Sequence, residues 1–164
     1  MTLVETLDDI RALRESREVE CKLAQGRDGD GALPEDIWET YSAFANTDGG
    51  DIFLGLREHP DQTYELAGIR HPQRVIDAFL EGLEQPGRVS CNLMCRSFCR
   101  VVTIDGRHLI QIHVPEARLE QKPVFINGNP LTGTYQRVSS WDMRLDADSV
   151  QSLLDGHDPS SCRC

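Results

Sequence analysis

The stretch Ser42-Ala43-Phe44-Ala45-Asn46-Thr47-Asp48-Gly49-Gly50-Asp51-Ile52-Phe53-Leu54-Gly55-Leu56 joins a helix to a buried strand through a polar diglycine turn. Upstream, Leu33, Ile37, Tyr41 and Phe44 recur at helical spacing, Pro34 suits a first helical position, and Glu35 and Asp36 complement the helix's positive end. The helix is expected to begin near Pro34. Gly49 and Gly50 are expected to supply the positive φ angles of a helix end and tight turn, and Ile52, Phe53, Leu54 and Leu56 read as a strand covered on both faces. Asn46, Thr47 and Asp48 then stand at the mouth of the fold.

Working outward, Leu3, Leu7 and Ile10 suggest a short opening helix, Val19 to Leu23 alternates as a strand, and 24–32 is a Gly/Asp-rich loop. Such a loop either connects elements or closes over a ligand. Tyr64 to Ile69 reads as a second strand, and Pro72 opens a helix with an apolar face of Val75, Ile76, Phe79, Leu80 and Leu83 that Pro86-Gly87 ends. Val101 to Ile104 and His108 to Val114 form a hairpin about Asp105-Gly106. Short strands at Val124 to Ile126 and Thr134 to Val138 precede a last amphipathic helix that starts at Asp146 or Asp148. This order gives an α+β fold with a mixed or antiparallel sheet, as one domain over 1–155, and 156–164 is expected to be a disordered tail.

At 164 residues, with 39% hydrophobic and 27% charged residues, the chain has the composition of a globular protein with a real core. No apolar run approaches the ~18 residues of a membrane helix, and MTLVETLDDI lacks the features of a signal peptide, so cytoplasmic residence is expected and no membrane partner. Six unevenly spaced cysteines then read as free thiols. The net charge of −10 argues against bulk attraction to nucleic acid, but it is uneven. Residues 1–85 hold 8 Lys and Arg against 19 Asp and Glu, whereas 86–164 hold 9 against 8. A phosphate-binding surface should therefore be local and draw on the second half.

The central turn is preceded by Glu15 and Glu20-Cys21-Lys22 and followed by Gly133-Thr134-Tyr135-Gln136-Arg137-Val138. This arrangement, from Glu15 to Arg144, resembles the Schlafen AlbA_2 family, whose bacterial members have been labelled divergent AAA-type or transcriptional-regulator domains. Two departures stand out: Ser139 follows the Arg-Val pair where the family usually has glycine, and Glu58 stands where the acid after the strand is commonly Asp. The resemblance implies a nucleic-acid-interacting domain, for DNA or RNA, within a bacterial regulator or defence protein, with pairing of two lobes as a homodimer. Eukaryotic Schlafens that cleave tRNA and rRNA use an acidic triad, and Glu15, Glu20 and Glu58 occupy the similar positions. The alternative is thus an endoribonuclease holding Mg²⁺ or Mn²⁺ on those carboxylates; no cofactor is expected otherwise. A third reading is an acidic protein-interaction module.

Each candidate has a plainer role beside the functional one. Glu15, Glu20 and Glu58 are either catalytic or solvated acids paired with Lys22 and nearby arginines. Asn46 and Thr47 either fix the turn or stand where released amides meet a phosphate. Lys122, Arg137 and Arg144 are the phosphate-contact candidates, with Tyr135 on the same strand face as Arg137 and able to stack a base or to pack. Arg96, Arg100 and Arg107 either extend this stripe or are scattered charges. Cys91, Cys95 and Cys99 are expected on one strand face as packing thiols, without zinc-ligand spacing. No phosphate-loop motif occurs, so nucleotide hydrolysis has no support in the sequence.

Overall fold

Helix α2 (Ile37–Asn46) ends where Gly49, at φ 72°, turns its amide back to the Phe44 carbonyl at 2.8 Å. A Cβ on Gly49 would lie 2.8 Å from the Val114 carbonyl oxygen, so both conformation and space demand glycine there. Gly50 differs from expectation. It has no left-handed φ, and glycine is needed because a Cβ would meet the Phe44 ring at 2.8 Å and the Glu18 carbonyl at 2.9 Å. The turn thereby presses the end of α2 onto strand β2 (Gly50–Leu54), all five residues of which are buried. The computed structural model describes residues 2–27 and 29–162.

Strands β1 (Val19–Lys22), β2, β5 (Cys99–Ile104) and β6 (Arg107–Val114) make one sheet in the order β1-β2-β6-β5. β1 runs parallel to β2 and the other neighbours are antiparallel, so the sheet is mixed, as expected. The parallel pair requires a crossover, and α2 lies within it. Side chains of β2 alternate between two cores. Ile52 and Leu54 join Tyr41 and Phe44 of α2, Phe79 of α3 (Pro72–Glu84) and Ile110 and Ile112 of β6. Phe53 joins Ile10 of α1 (Leu7–Ala12), Val19, Leu56, Tyr64 and Leu109 on the opposite face. Each such fully buried side chain contributes about 1.5–3 kcal/mol of transfer free energy, which makes the sandwiched β2 the axis of the fold.

Local signals hold elsewhere. Thr6 caps α1 in a reciprocal box with Asp9, Pro72 opens α3, and Asp146 caps α5 (Ala147–Asp155) by accepting from the Ser149 amide at 2.8 Å. Asp105 and Gly106, at φ 51° and 76°, make the β5–β6 turn.

Four readings need correction. α2 begins at Ile37, three residues past Pro34. Val124–Ile126 forms only isolated bridges, to Val89 and Thr134, while two short strands were not foreseen: β3 (Leu56–Glu58), paired with β4 (Tyr64–Leu66), and β8 (Trp141–Arg144), paired with β7 (Tyr135–Val138). Cys91, Cys95 and Cys99 do not share a strand face: only Cys99 lies in a strand, Cys91 is buried and Cys95 exposed. The segment expected to be a disordered tail holds a turn at Pro159–Cys162, where the Asp158 amide donates to the Glu120 carbonyl at 2.7 Å and Ser161 bonds the same carbonyl. Residues 163–164 of that segment lie outside the described residues. A short helix α4 (Pro130–Gly133) completes the elements, and none among the described residues is long and apolar enough to cross a membrane.

Candidate functional site

The polar end of α2 is spent on the fold. Asn46 donates from Nδ2 to the carbonyls of Val124 (2.9 Å) and Tyr135 (2.8 Å), and its Oδ1 accepts from the Val124 amide at 2.8 Å. Ser42 Oγ accepts from the Tyr135 amide at 3.0 Å, and Thr47 Oγ1 from the Arg137 amide at 2.8 Å. The helix thus replaces a neighbouring strand along the inner edge of β7. Of the two roles expected for Asn46 and Thr47, these bonds supply the structural one, since the groups satisfy backbone that would otherwise be buried and unpaired.

Arg137 is likewise engaged within the fold. It is 2% exposed, and its guanidinium reaches Glu20 Oε2 and Asp142 Oδ1, each at 2.7 Å, and the carbonyls of Ser16 and Val19. It also lies over the Phe44 ring, 5.0 Å from the centroid. Strand alternation puts Tyr135 and Arg137 on one face, and that face turns toward α2 and the entry segment. Tyr135 is half-buried, which pushes its phenol upward. Lys122 is held by Glu116 at 2.9 Å. Arg144 is exposed and forms no hydrogen bond or ion pair among the described residues.

The three glutamates gather round Cys21. Glu15 Oε1 accepts from the Cys21 amide at 3.3 Å, and Glu15, Glu20 and Glu58 all act on the Cys21 thiol, which burial chiefly pushes upward. Glu20 is 13% exposed in its side chain, with Oε2 on Arg137 and Oε1 3.5 Å from Lys22 Nζ, which also bridges to Asp36 at 3.0 Å. Burial pushes the Glu20 carboxyl up to about 7; Lys22 and Arg137 pull it down and Glu15 pushes it further up. Glu58 is exposed at the end of β3. A divalent cation needs open carboxylate oxygens, and Glu20 has given both of its oxygens to cations of the chain. Among the described residues no three His, Cys, Asp or Glu side chains are disposed to hold a metal ion. The triad in this arrangement does not fit Mg²⁺ or Mn²⁺.

A different cluster faces solvent. Gln25, Gly29, Gly68, Gly106, Arg70 and Arg107 line a cleft of about 320 Å³, bordered by the segment entering α3 and the β5–β6 turn. Arg70 pairs with Asp30 at 2.9 Å; Arg107 donates to the Leu66 carbonyl at 3.0 Å. Both arginines are exposed, and α3 has no side-chain cap. Glycine backbone and arginine forks are a combination suited to an anion. The legible signals were two: an arginine directly after the Asp105-Gly106 turn, and Arg70-His71 ahead of a proline-opened helix.

Fold and site together define an α+β domain whose buried glutamate–arginine–aspartate bridge is structural and whose basic cleft is open. The chain belongs to the Schlafen, AlbA_2 family, whose model matches residues 15–146. It is similar to the solved N-terminal domain of an ATP-dependent DNA helicase RecG-related protein from Nitrosomonas europaea, with 27% identity and a TM-score of 0.58 over 85% of this chain and 90% of that one. The DIP2311 protein of Corynebacterium diphtheriae shares the fold, with 18% identity and a TM-score of 0.56 over 84% of this chain but 23% of that one. No curated protein matches.

Proposed function

We propose that this chain is a nucleic-acid-interacting domain of a bacterial regulator or defence protein, and that it holds the phosphate backbone at the Arg70–Arg107 cleft. The observation that carries this reading is the pair of exposed arginines flanking a glycine-walled cleft, in a chain where two of the three expected phosphate contacts are engaged, Arg137 within the fold and Lys122 by Glu116. Family membership and the likeness to a RecG-related domain support the ligand class. With a net charge of −10, attraction must be local, and a few arginines that release counterions supply it. Five free thiols among the described residues suit a reducing cytoplasm. A homodimer would present two such clefts.

Cleavage through Glu15, Glu20 and Glu58 has no comparable support, because Arg137 and Lys22 hold the Glu20 oxygens. The test is fluorescence anisotropy with unrelated single- and double-stranded DNA and RNA of equal length. The Arg70→Ala/Arg107→Ala variant is expected to lose about tenfold or more in affinity for all of them, because phosphate contacts carry no base information. Unchanged affinity in the double variant would overturn the reading.

A further inference from the structure

The Arg70–Arg107 cleft is lined by hydrogen-bond donors that the chain anchors from behind. Arg70 uses Nη1 on Asp30 at 2.9 Å, and Arg107 uses Nη1 on the Leu66 carbonyl at 3.0 Å. Each guanidinium is thereby oriented through one nitrogen, while its Nε and Nη2 form no hydrogen bond among the described residues. Gln25 lines the same cleft, and its Oε1 accepts from Arg57 Nη2 at 3.3 Å. With that oxygen turned to Arg57, the side chain offers the cleft its NH₂ donors. Gly106, at the β5–β6 turn, adds a backbone N–H that reaches no acceptor among the described residues.

The surface around the cleft limits what it can hold. Arg17, Arg57, Arg96 and Arg118, all exposed, each lie within 2.9 Å of a carboxylate. Binding spread over many phosphates needs a long run of free cations, and these pairs interrupt it in a chain whose net charge is already −10. Attraction is therefore concentrated on few phosphates. The Asp30 and Glu65 carboxylates, held on Arg70 and Arg57, would also repel a strand that ran on past the cleft in both directions. A strand end has only one continuation.

We propose that the preferred occupant of this cleft is the phosphomonoester at the end of a nucleic-acid strand. The inference rests on the nucleic-acid reading above and names the part of the strand that is held. An internal phosphodiester carries a single negative charge and two free oxygens. A terminal phosphomonoester carries about −1.5 to −2 at pH 7 and presents three acceptor oxygens. Two guanidinium edges, the Gln25 amide and the Gly106 N–H are more donors than a diester engages, and the added oxygen and charge of the monoester take up the remainder. Hydroxyl-ended strands still bind through an internal diester, but more weakly.

One single-stranded DNA sequence in four forms tests this by anisotropy competition: hydroxyl at both ends, phosphate at the 5′ end, phosphate at the 3′ end, and closed into a circle. A phosphate at one end or the other is expected to tighten binding at least tenfold over the hydroxyl-ended strand. The circle, which keeps the internal diesters, should bind no better than the hydroxyl-ended form. Gln25→Leu, checked for an unchanged melting temperature, should lose most of the end-phosphate gain and hold the hydroxyl-ended affinity within about twofold. A nucleoside monophosphate should bind more weakly than the end-phosphorylated strand; equal affinity would mean that the strand is not recognised and would overturn the proposal. Equal binding of the hydroxyl-ended, phosphorylated and circular forms would overturn this inference alone. No binding of any form would overturn the nucleic-acid reading with it.

Discussion

Arg137 Nη2 lies 2.7 Å from Glu20 Oε2, joining a late strand to the entry strand through a guanidinium that is almost wholly buried. The same guanidinium holds Asp142 and the Ser16 and Val19 carbonyls. Residues that a linear reading divides between an acidic centre and a basic contact therefore neutralise one another at the junction of β1, α2 and β7. Their first role is to close the fold.

Arg137→Ala should accordingly destabilise the chain by about 3–5 kcal/mol, because it leaves Glu20 and Asp142 buried without their cation. Arg137→Lys should recover only part of this, since an ammonium cannot reproduce the planar fork. Urea unfolding measures both. A stable Arg137→Ala chain with selectively weakened nucleic-acid binding would return Arg137 to the interface.

Stability should fall as pH rises through the window from about 4.5 to about 7 set by Glu20. Its folded pKa of about 7 lies above the ordinary glutamate value of 4.5, so in that window the folded state holds more protons than the unfolded one. The contribution is fully present below about 4.5 and is lost as pH passes the folded value, with a size of order 1–3 kcal/mol. Glu20→Gln should flatten this part of the profile. A profile equally steep in Glu20→Gln would assign the titration to another group.

Ser139→Gly should raise stability by up to about 1 kcal/mol. Ser139 sits at φ 54° in the two-residue turn of the β7–β8 hairpin, a region that side chains disfavour and glycine tolerates. This is the position where the chain departs from the glycine usual in its family. An unchanged or lowered melting temperature would count against strain at this turn.

The parts of the fold legible in the sequence are those governed by local pattern. Apolar spacing and a proline mark α3, Asp-Gly marks the β5–β6 turn, and the diglycine marks the junction of α2 with β2. β8 was not legible, because Trp-Asp-Met-Arg alternates apolar outward residues with charged inward ones and so inverts the usual strand signature. The site was legible only in membership. Alternation groups Tyr135 with Arg137 but cannot say which way their face turns; that is decided by Ser42, Asn46 and Thr47 capturing the β7 edge. Arg70 and Arg107 lie far apart in sequence, and the Ile69 amide on the His108 carbonyl at 2.8 Å, with Arg107 on the Leu66 carbonyl, brings them to one cleft.

Asp30→Asn should strengthen nucleic-acid binding severalfold, because the Asp30 carboxylate pairs with Arg70 and would compete with a phosphate. Anisotropy at low salt is the measurement. Weaker binding in this variant would mean that Asp30 positions Arg70 for the ligand.

The most direct test is the salt dependence of duplex affinity, compared between the parent chain, Arg70→Ala/Arg107→Ala and Glu20→Gln. Two lost phosphate contacts should reduce the slope of log K against log salt by about 1.8 in the arginine variant, whereas Glu20→Gln should keep the parent slope. A parent slope retained without Arg70 and Arg107, or lost on changing Glu20, would contradict the account.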